Sequence, residues 1–302
     1  LVSFGGFAQE QPFDKEEIVV SEWLKGSLYK PAHLNNKTDL VILIAGSGAT
    51  DRDGNQKGLA NNSLRFLAEG LAKNDIAVFS YDKRIIAQMA AGKVSEKDLS
   101  FGDFIADAKT VVAHFRAKKQ FRRIIIAGHS EGSLIGMVAA NGNADAFISI
   151  AGAGRTIDEV LEEQLVKQLP ASKDQIHGYL QQLKKGETFE VKDPMLAMIF
   201  KPSVQPYLTS WISYNPQSEI AKLKIPVLLI NGNRDIQVPV SDAELLKQAK
   251  PDAQLKIIPD MNHVFKEVKS DDMTENTSTY TNPDLPVKPD LIATVNQFIK
   301  SM

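Results

Sequence analysis

Arg123-Ile-Ile-Ile-Ala-Gly-His-Ser-Glu-Gly132 decides how this chain folds. An apolar run of the length of a buried strand leads straight into Gly128-x-Ser130-x-Gly132, and Ser133 to Ala140 is small, apolar and helical in character. Strand, sharp turn and helix in that order make a nucleophile elbow, which lifts one serine above a parallel sheet. Glycine at 128 and 132 has a steric reason. Side chains there would collide with the neighbouring strand and helix, and the serine between them sits in strained backbone geometry. The plainer alternative is an ordinary glycine-rich strand-to-helix turn. A serine alone is no catalyst: it needs a base, an acid to orient that base, and donors for an oxyanion.

The chain holds five histidines. His33 lies in an early polar loop, His114 on a helical pattern where it reads as a surface or edge residue, and His177 in a polar helical segment. His129 adjoins the serine, but adjacent side chains in an elbow point in different directions. His263 differs: it sits in Pro259-Asp-Met-Asn-His263, the loop leaving the last expected strand, Gln254 to Ile258. Loops at the carboxyl ends of strands are where a doubly wound sheet assembles its site, so His263 is the candidate base. The candidate acid is Asp235, in the turn Gly232-Asn-Arg-Asp235 that leaves the apolar strand Val227 to Asn231. Asp260 is its rival but reads as turn chemistry, and Asp242 as an early helical residue. The backbone N–H of Glu131 follows the nucleophile directly and is one candidate oxyanion donor. Ser47 supplies the other, where Leu40 to Ala45 runs into Gly46-Ser-Gly48. A dinucleotide fingerprint does not fit this Gly-x-Gly, because Asp51 stands where its third glycine or alanine belongs.

These residues, with Ala45-Gly-Ser-Gly-Ala-Thr-Asp-Arg-Asp-Gly54, Ser80-Tyr-Asp-Lys-Arg84, Ile225 to Asp235 followed by Val238-Pro239, and Met261-Asn-His263, resemble the α/β-hydrolase superfamily over nearly the whole chain from Glu17. The Gly-Ser-Gly…Asp-Arg-Asp-Gly loop is similar to that of bacterial carboxylesterases related to the dienelactone-hydrolase and cinnamoyl-esterase groups. Ile85-Ile86 depart from the small residue that usually follows Tyr-Asp-Lys-Arg. The fold expected is α/β: a mostly parallel eight-stranded sheet with helices on both faces, strands alternating with helices along the chain. The resemblance implies that the second strand runs antiparallel. It further implies that residues 155–217, which break the alternation, form a helical cap inserted in a core of residues 17–154 and 218–302. Phe200, Tyr207, Trp211 and Tyr214 in that insertion are candidates for lining a substrate pocket or for packing the cap onto the core. Asp51-Arg52-Asp53 reads as a loop held by ion pairs to Lys83 or Arg84, or as a solvated turn. Residues 269–281, polar and without apolar period, read as a surface loop or hairpin with no chemistry.

The implied activity is hydrolysis of small-molecule carboxylic esters, of short acyl, small aryl or sugar type, with no cofactor and no metal. A peptidase or thioesterase using the same residues, or a non-catalytic binding protein on this scaffold, are the alternatives. A net charge of −2 and a pI near 6.3 give no electrostatic case for nucleic acid. The absence of cysteine excludes disulfides and thiolate metal sites, and no apolar stretch has the length of a membrane span. Leu1 to Ala8, apolar and small ahead of the polar Gln9-Glu-Gln-Pro12, reads as the tail of a secretory signal, with residues 1–16 as an N-terminal tail. That reading places the protein in a periplasm or outside the cell; without it the cytoplasm is expected.

Overall fold

The computed structural model describes residues 12–302. The expected signal tail at residues 1–8 lies outside them. Eight strands, β1 Phe13–Val19, β2 Lys25–Pro31, β3 Leu40–Ile44, β4 Ala77–Tyr81, β5 Ile124–His129, β6 Ala146–Ile150, β7 Val227–Gly232 and β8 Gln254–Ile258, form one sheet in the order β1-β2-β4-β3-β5-β6-β7-β8. Strand β2 is antiparallel to both neighbours, and β3 to β8 are parallel to one another. The first strand starts inside the expected tail, with Phe13 paired to Pro31. Its Asp14-Lys-Glu-Glu17 run faces solvent, which hides the strand pattern in the sequence and keeps this sheet edge from pairing with another chain.

Between the strands lie α1 Ser63–Ala72, α2 Arg84–Ala90, α3 Phe101–Lys118 and α4 Glu131–Ala140. The stretch from β6 to β7 carries α5 Ile157–Gln168, α6 Lys173–Lys184, α7 Pro194–Phe200, α8 Gln205–Ile212 and α9 Pro216–Ala221. Helices α10 Val240–Ala249, α11 Met273–Ser278 and α12 Pro289–Ser301 complete the chain. The Ile85-Ile86 departure sits in the first turn of α2.

The strands β3 and β5 are buried along their whole length, and β3 and Ile124 to Ala127 of β5 are apolar, because both sheet faces are covered. Leu40, Ile42, Ile44, Ile124 and Ile126 pack on one face with α3 and α4, while Val41, Leu43, Ile125 and Ala127 pack on the other with α1 and α12. Helices α5 to α8 close around a separate apolar cluster of Leu165, Ile176, Leu180, Leu183, Leu196, Phe200, Leu208 and Ile212. Ile220 of α9 instead joins the sheet core. No helix among the described residues is long and apolar enough to cross a membrane.

Residues 269–281 contain a helix, contrary to the loop expected. Asp272 caps α11 by accepting the Thr274 N–H at 2.8 Å, and a 3-10 turn over Thr279–Thr281 follows. The buried face of this segment is polar: Asn276 and Thr279 meet Asn262, whose side-chain amide donates to Thr279 Oγ1 at 2.7 Å and Asn276 Oδ1 at 3.1 Å. Helical periodicity of apolar residues is therefore absent.

The turn after β5 leaves no room for side chains. A Cβ at Gly128 would lie 2.0 Å from the Gly132 carbonyl oxygen, and one at Gly132 would lie 2.4 Å and 2.6 Å from the carbonyl oxygens of Ile44 and Ala45. Gly128→Ala is therefore expected to destabilise the fold by about 3 kcal/mol or more, since the obstacle is backbone and has no flexible side chain to yield. Urea unfolding beside wild type checks this; an unchanged midpoint would show that the turn relaxes.

Candidate active site

Ser130 occupies the apex of that turn, with φ 55° and ψ −121°, a region that costs a non-glycine residue on the order of 1–3 kcal/mol. The strain is held from both sides. The Ser130 N–H donates to the Ile150 carbonyl at 3.0 Å, and its own carbonyl accepts the Ser133 N–H at 2.9 Å. The side chain is thereby left at the N-terminus of α4, where the helix dipole is positive.

Asp235 and His263 come from the loops after β7 and β8, and Asp235 Oδ2 lies 2.8 Å from His263 Nδ1. A carboxylate accepts only, so Nδ1 carries the proton and Nε2 is left as the basic nitrogen. The other carboxylate oxygen, Oδ1, accepts the backbone N–H groups of Gln237 at 2.8 Å and Val238 at 2.9 Å. The acid is therefore held by its own loop. Asp260, the rival acid, turns toward Arg234 instead, at 3.7 Å. Asp242 heads α10 and pairs with Arg155 at 2.8 Å.

His129 has a part that the sequence did not suggest. Its Nε2 lies 2.9 Å from the carbonyl oxygen of His263, so Nε2–H is the donor and pins the backbone of the candidate base. Burial holds the His129 imidazole well below its ordinary pKa, and the neighbouring His263 adds to this; it stays neutral. On the opposite side Asn262 Oδ1 accepts the Lys266 N–H at 2.9 Å. His33, His114 and His177 lie elsewhere: none is among the residues lining the cavities at Ser130.

The Gly46-Ser-Gly48 loop is fastened by Lys83. Its Nζ donates to the Gly46 carbonyl at 3.0 Å and to Glu131 Oε2 at 2.9 Å, with both side chains almost wholly buried. In a trans peptide the C=O and N–H point opposite ways, so holding the Gly46 carbonyl also fixes the direction of the Ser47 N–H. The Glu131 N–H is the first of α4 and lacks an intrahelical acceptor. One buried ion pair thus ties together the two peptide groups expected to face an oxyanion. Tyr207 of α8 donates to the remaining Glu131 oxygen, and burial together with the Glu131 charge raises its pKa well above the ordinary value.

This arrangement corrects the expected role of Asp51-Arg52-Asp53. Arg52 pairs with Asp82 at 2.7 Å and with Glu17, and Arg84 with Asp107 at 2.6 Å and Asp103 at 3.1 Å. Asp51 accepts the Asp53 and Asn55 N–H groups of its own loop at 2.9 and 2.8 Å. Lys83 is taken by Glu131, whose equally buried carboxylate offsets the cost of burying the ammonium.

Two cavities meet at Ser130. One, of about 180 Å³, runs beneath the helical insertion past Leu134, Val160, Ile199, Leu208 and Trp211. The other, of about 260 Å³, contains His263 and is lined by polar side chains together with Leu59 and Val264. Of the four aromatic candidates the structure brings only Trp211 to the serine. Phe200 is fully buried in the insertion's own cluster against Tyr179. Tyr207 reaches Glu131 from the side of Lys83, and Tyr214 packs on Phe101 at 5.3 Å between ring centres. Tyr207, Trp211 and Tyr214 pack against the sheet core and Phe200 within the insertion's own cluster, a division that sequence spacing does not reveal.

Residues 57–267 match the family model Hydrolase_4, described as serine aminopeptidase, S33. The chain belongs to this family of α/β-hydrolases. It is 28% identical over 274 residues to Esterase EstD of Thermotoga maritima, covering 86% of this chain and 62% of the relative, so it spans less than two thirds of that protein's length. Among solved structures, Est1E from Butyrivibrio proteoclasticus superposes with a TM-score of 0.58 at 16% identity, over 95% of this chain and 99% of that one. The dienelactone hydrolase from Anabaena variabilis gives 0.55 at 17% identity, over 96% and 98%. At those identities the likeness is one of fold.

The buried pair carries a stability prediction. Lys83→Met leaves the Glu131 carboxylate buried without its partner and is expected to cost about 3–5 kcal/mol, whereas Lys83→Met with Glu131→Gln costs less than the single change. Urea unfolding of the four proteins of this double-mutant cycle measures the coupling, and additive losses would show that the pair does not interact.

Proposed function

We propose that this chain is a serine carboxylesterase acting on small-molecule esters, of short acyl, small aryl or sugar type, through an acyl-enzyme on Ser130. The observation that carries the reading is the convergence of three loops: Ser130 at a strained elbow, and His263 on the same cavity with its Nδ1 2.8 Å from Asp235. His263 Nε2 takes the Ser130 proton as the hydroxyl attacks the ester carbonyl. The Ser47 and Glu131 N–H groups receive the oxyanion, and Asp235 stabilises the imidazolium. Protonated His263 then hands its proton to the departing alcohol, and water repeats the sequence on the acyl-enzyme. Over the sheet, the helical insertion acts as a cap.

The description of the family as serine aminopeptidases favours a second reading, cleavage of peptides from their amino ends. Electrostatics count against it. A substrate ammonium needs a free carboxylate, and among the described residues lining the two cavities Glu131 is the sole acid and is already paired with Lys83.

Turnover of p-nitrophenyl esters from acetate to palmitate, beside aminoacyl p-nitroanilides, separates the two readings. Wild type is expected to cleave the short esters and leave the anilides. Ser130→Ala should lose several orders of magnitude, and Asp235→Asn about 10³–10⁴-fold, with unfolding midpoints little changed. Near-normal ester turnover by Ser130→Ala would remove Ser130 from the mechanism. Anilide cleavage without ester cleavage would favour the peptidase.

The proposal includes export, on the apolar start and the Gly6-Phe-Ala8 step. Fractionation of cells making the full-length gene product is expected to put the activity in the periplasm or medium; activity confined to the cytoplasm would refute export.

A further inference from the structure

The two cavities at Ser130 differ in chemistry, and the position of His263 orients an ester between them. The leaving alcohol takes its proton from His263 Nε2, so its oxygen must lie within hydrogen-bond reach of that ring. His263 borders the 260 Å³ cavity and not the 180 Å³ one. The alcohol half of the substrate therefore belongs in the larger cavity, and the acyl half lies beneath the insertion among Leu134, Val160, Leu208 and Trp211, where the one cation among the described lining residues, Arg155, is taken by Asp242 and Glu163.

The alcohol cavity is lined by Thr50, Gln56, Asn61, Ser63, Gln237 and Tyr280, all uncharged. Asn61 and Ser63 are more than nine-tenths buried. Asn61 Oδ1 accepts the Ser63 N–H at 3.0 Å, which fixes the amide orientation and leaves its NH₂ without an acceptor among the described residues. The Ser63 hydroxyl likewise has no partner there. Gln56 donates its NH₂ to the Ser47 carbonyl at 2.8 Å and to Thr50 Oγ1 at 2.7 Å, leaving Oε1 to accept. Tyr280 accepts from Gln237 Nε2 at 3.1 Å and keeps its own proton to give.

Free donors and acceptors thus stand together in an uncharged cavity, beside Leu59 and Val264, and hydroxyl groups can satisfy both kinds because each donates and accepts. An apolar alcohol would strip water from Asn61 and Ser63 and return nothing, at about 1–3 kcal/mol per group. We propose that the alcohol half of the natural substrate is a neutral polyhydroxylated unit, a sugar or polyol, held by Asn61, Ser63, Gln56 and Tyr280, with a short apolar acid as the other half. This rests on the esterase reading and narrows it to one side of the ester.

The test compares 6-O-butyryl glucose with cyclohexylmethyl butyrate, a ring of similar size without hydroxyls, with p-nitrophenyl butyrate as the reference for activity. Wild type is expected to prefer the glucose ester in kcat/KM by about 10–100-fold, the discrimination of one or two lost hydrogen bonds. Asn61→Asp keeps the acceptor for the Ser63 N–H but loses the NH₂ donors, and Ser63→Ala removes the hydroxyl; each is expected to cut that preference by about tenfold. Trp211→Ala, on the acyl side, should alter acyl-length selectivity and keep the glucose preference. Cleavage of p-nitrophenyl butyrate with no glucose preference, or with one that Asn61→Asp and Ser63→Ala both leave intact, would overturn the alcohol assignment alone. No cleavage of any ester would overturn the esterase reading, and this assignment with it.

Discussion

The contact on which the site depends is between main chains. Gly132, at the start of α4, lies against the carbonyl groups of Ile44 and Ala45 at the end of β3, so closely that no Cβ fits between them. That approach forces β5 to turn at once into α4 and puts the strain on Ser130. Hydrogen bonds to Ile150 and Ser133 keep the strained residue in place. The same contact sets the elbow beside the Gly46-Ser-Gly48 loop, so the serine and both candidate oxyanion peptides share one corner of the sheet.

Around this corner the supports are polar and buried. Lys83 reaches from the loop after β4 to Gly46 and Glu131, and Tyr207 reaches Glu131 from the helical insertion. His129 and Asn262 hold the loop that carries His263. Buried polar groups of this kind stabilise little in sum, because desolvation offsets most of their attraction. What they contribute is position: each leaves one arrangement of a peptide or a ring in which all partners are satisfied.

The two sides of the serine then differ for separate reasons. On the proposed acyl side, the insertion contributes Trp211, Leu208 and Ile199 to the smaller cavity. On the proposed alcohol side, the loop before α1 and the segment around α11 bring Asn61, Ser63 and Tyr280 to the cavity that His263 borders. Gln237 lines both cavities and links the halves: its carbonyl accepts from Gln164 of α5, and its amide donates to Tyr280.

The sheet, its helices and the elbow were legible in the sequence because each is written in local terms. These are apolar runs for strands buried on both faces, helical periodicity for α1, α3 and α12, and two glycines where backbones touch. Asp235 and His263 were legible because a loop after a parallel strand has one place to go. Other features were decided by tertiary structure alone. Lys83, Glu131 and Tyr207 lie in three distant segments, and nothing in their spacing announces a buried network. Lys83 could as well have met Asp51 or Asp53, and only packing assigned it to Glu131. Residues 269–281 looked like solvent-facing loop because their buried side is polar, satisfied by Asn262 from earlier in the same connection after β8. Which of Phe200, Tyr207, Trp211 and Tyr214 faces the serine depended on which pack into the insertion's own cluster and which on the sheet core, a matter of volume and direction that sequence spacing does not encode.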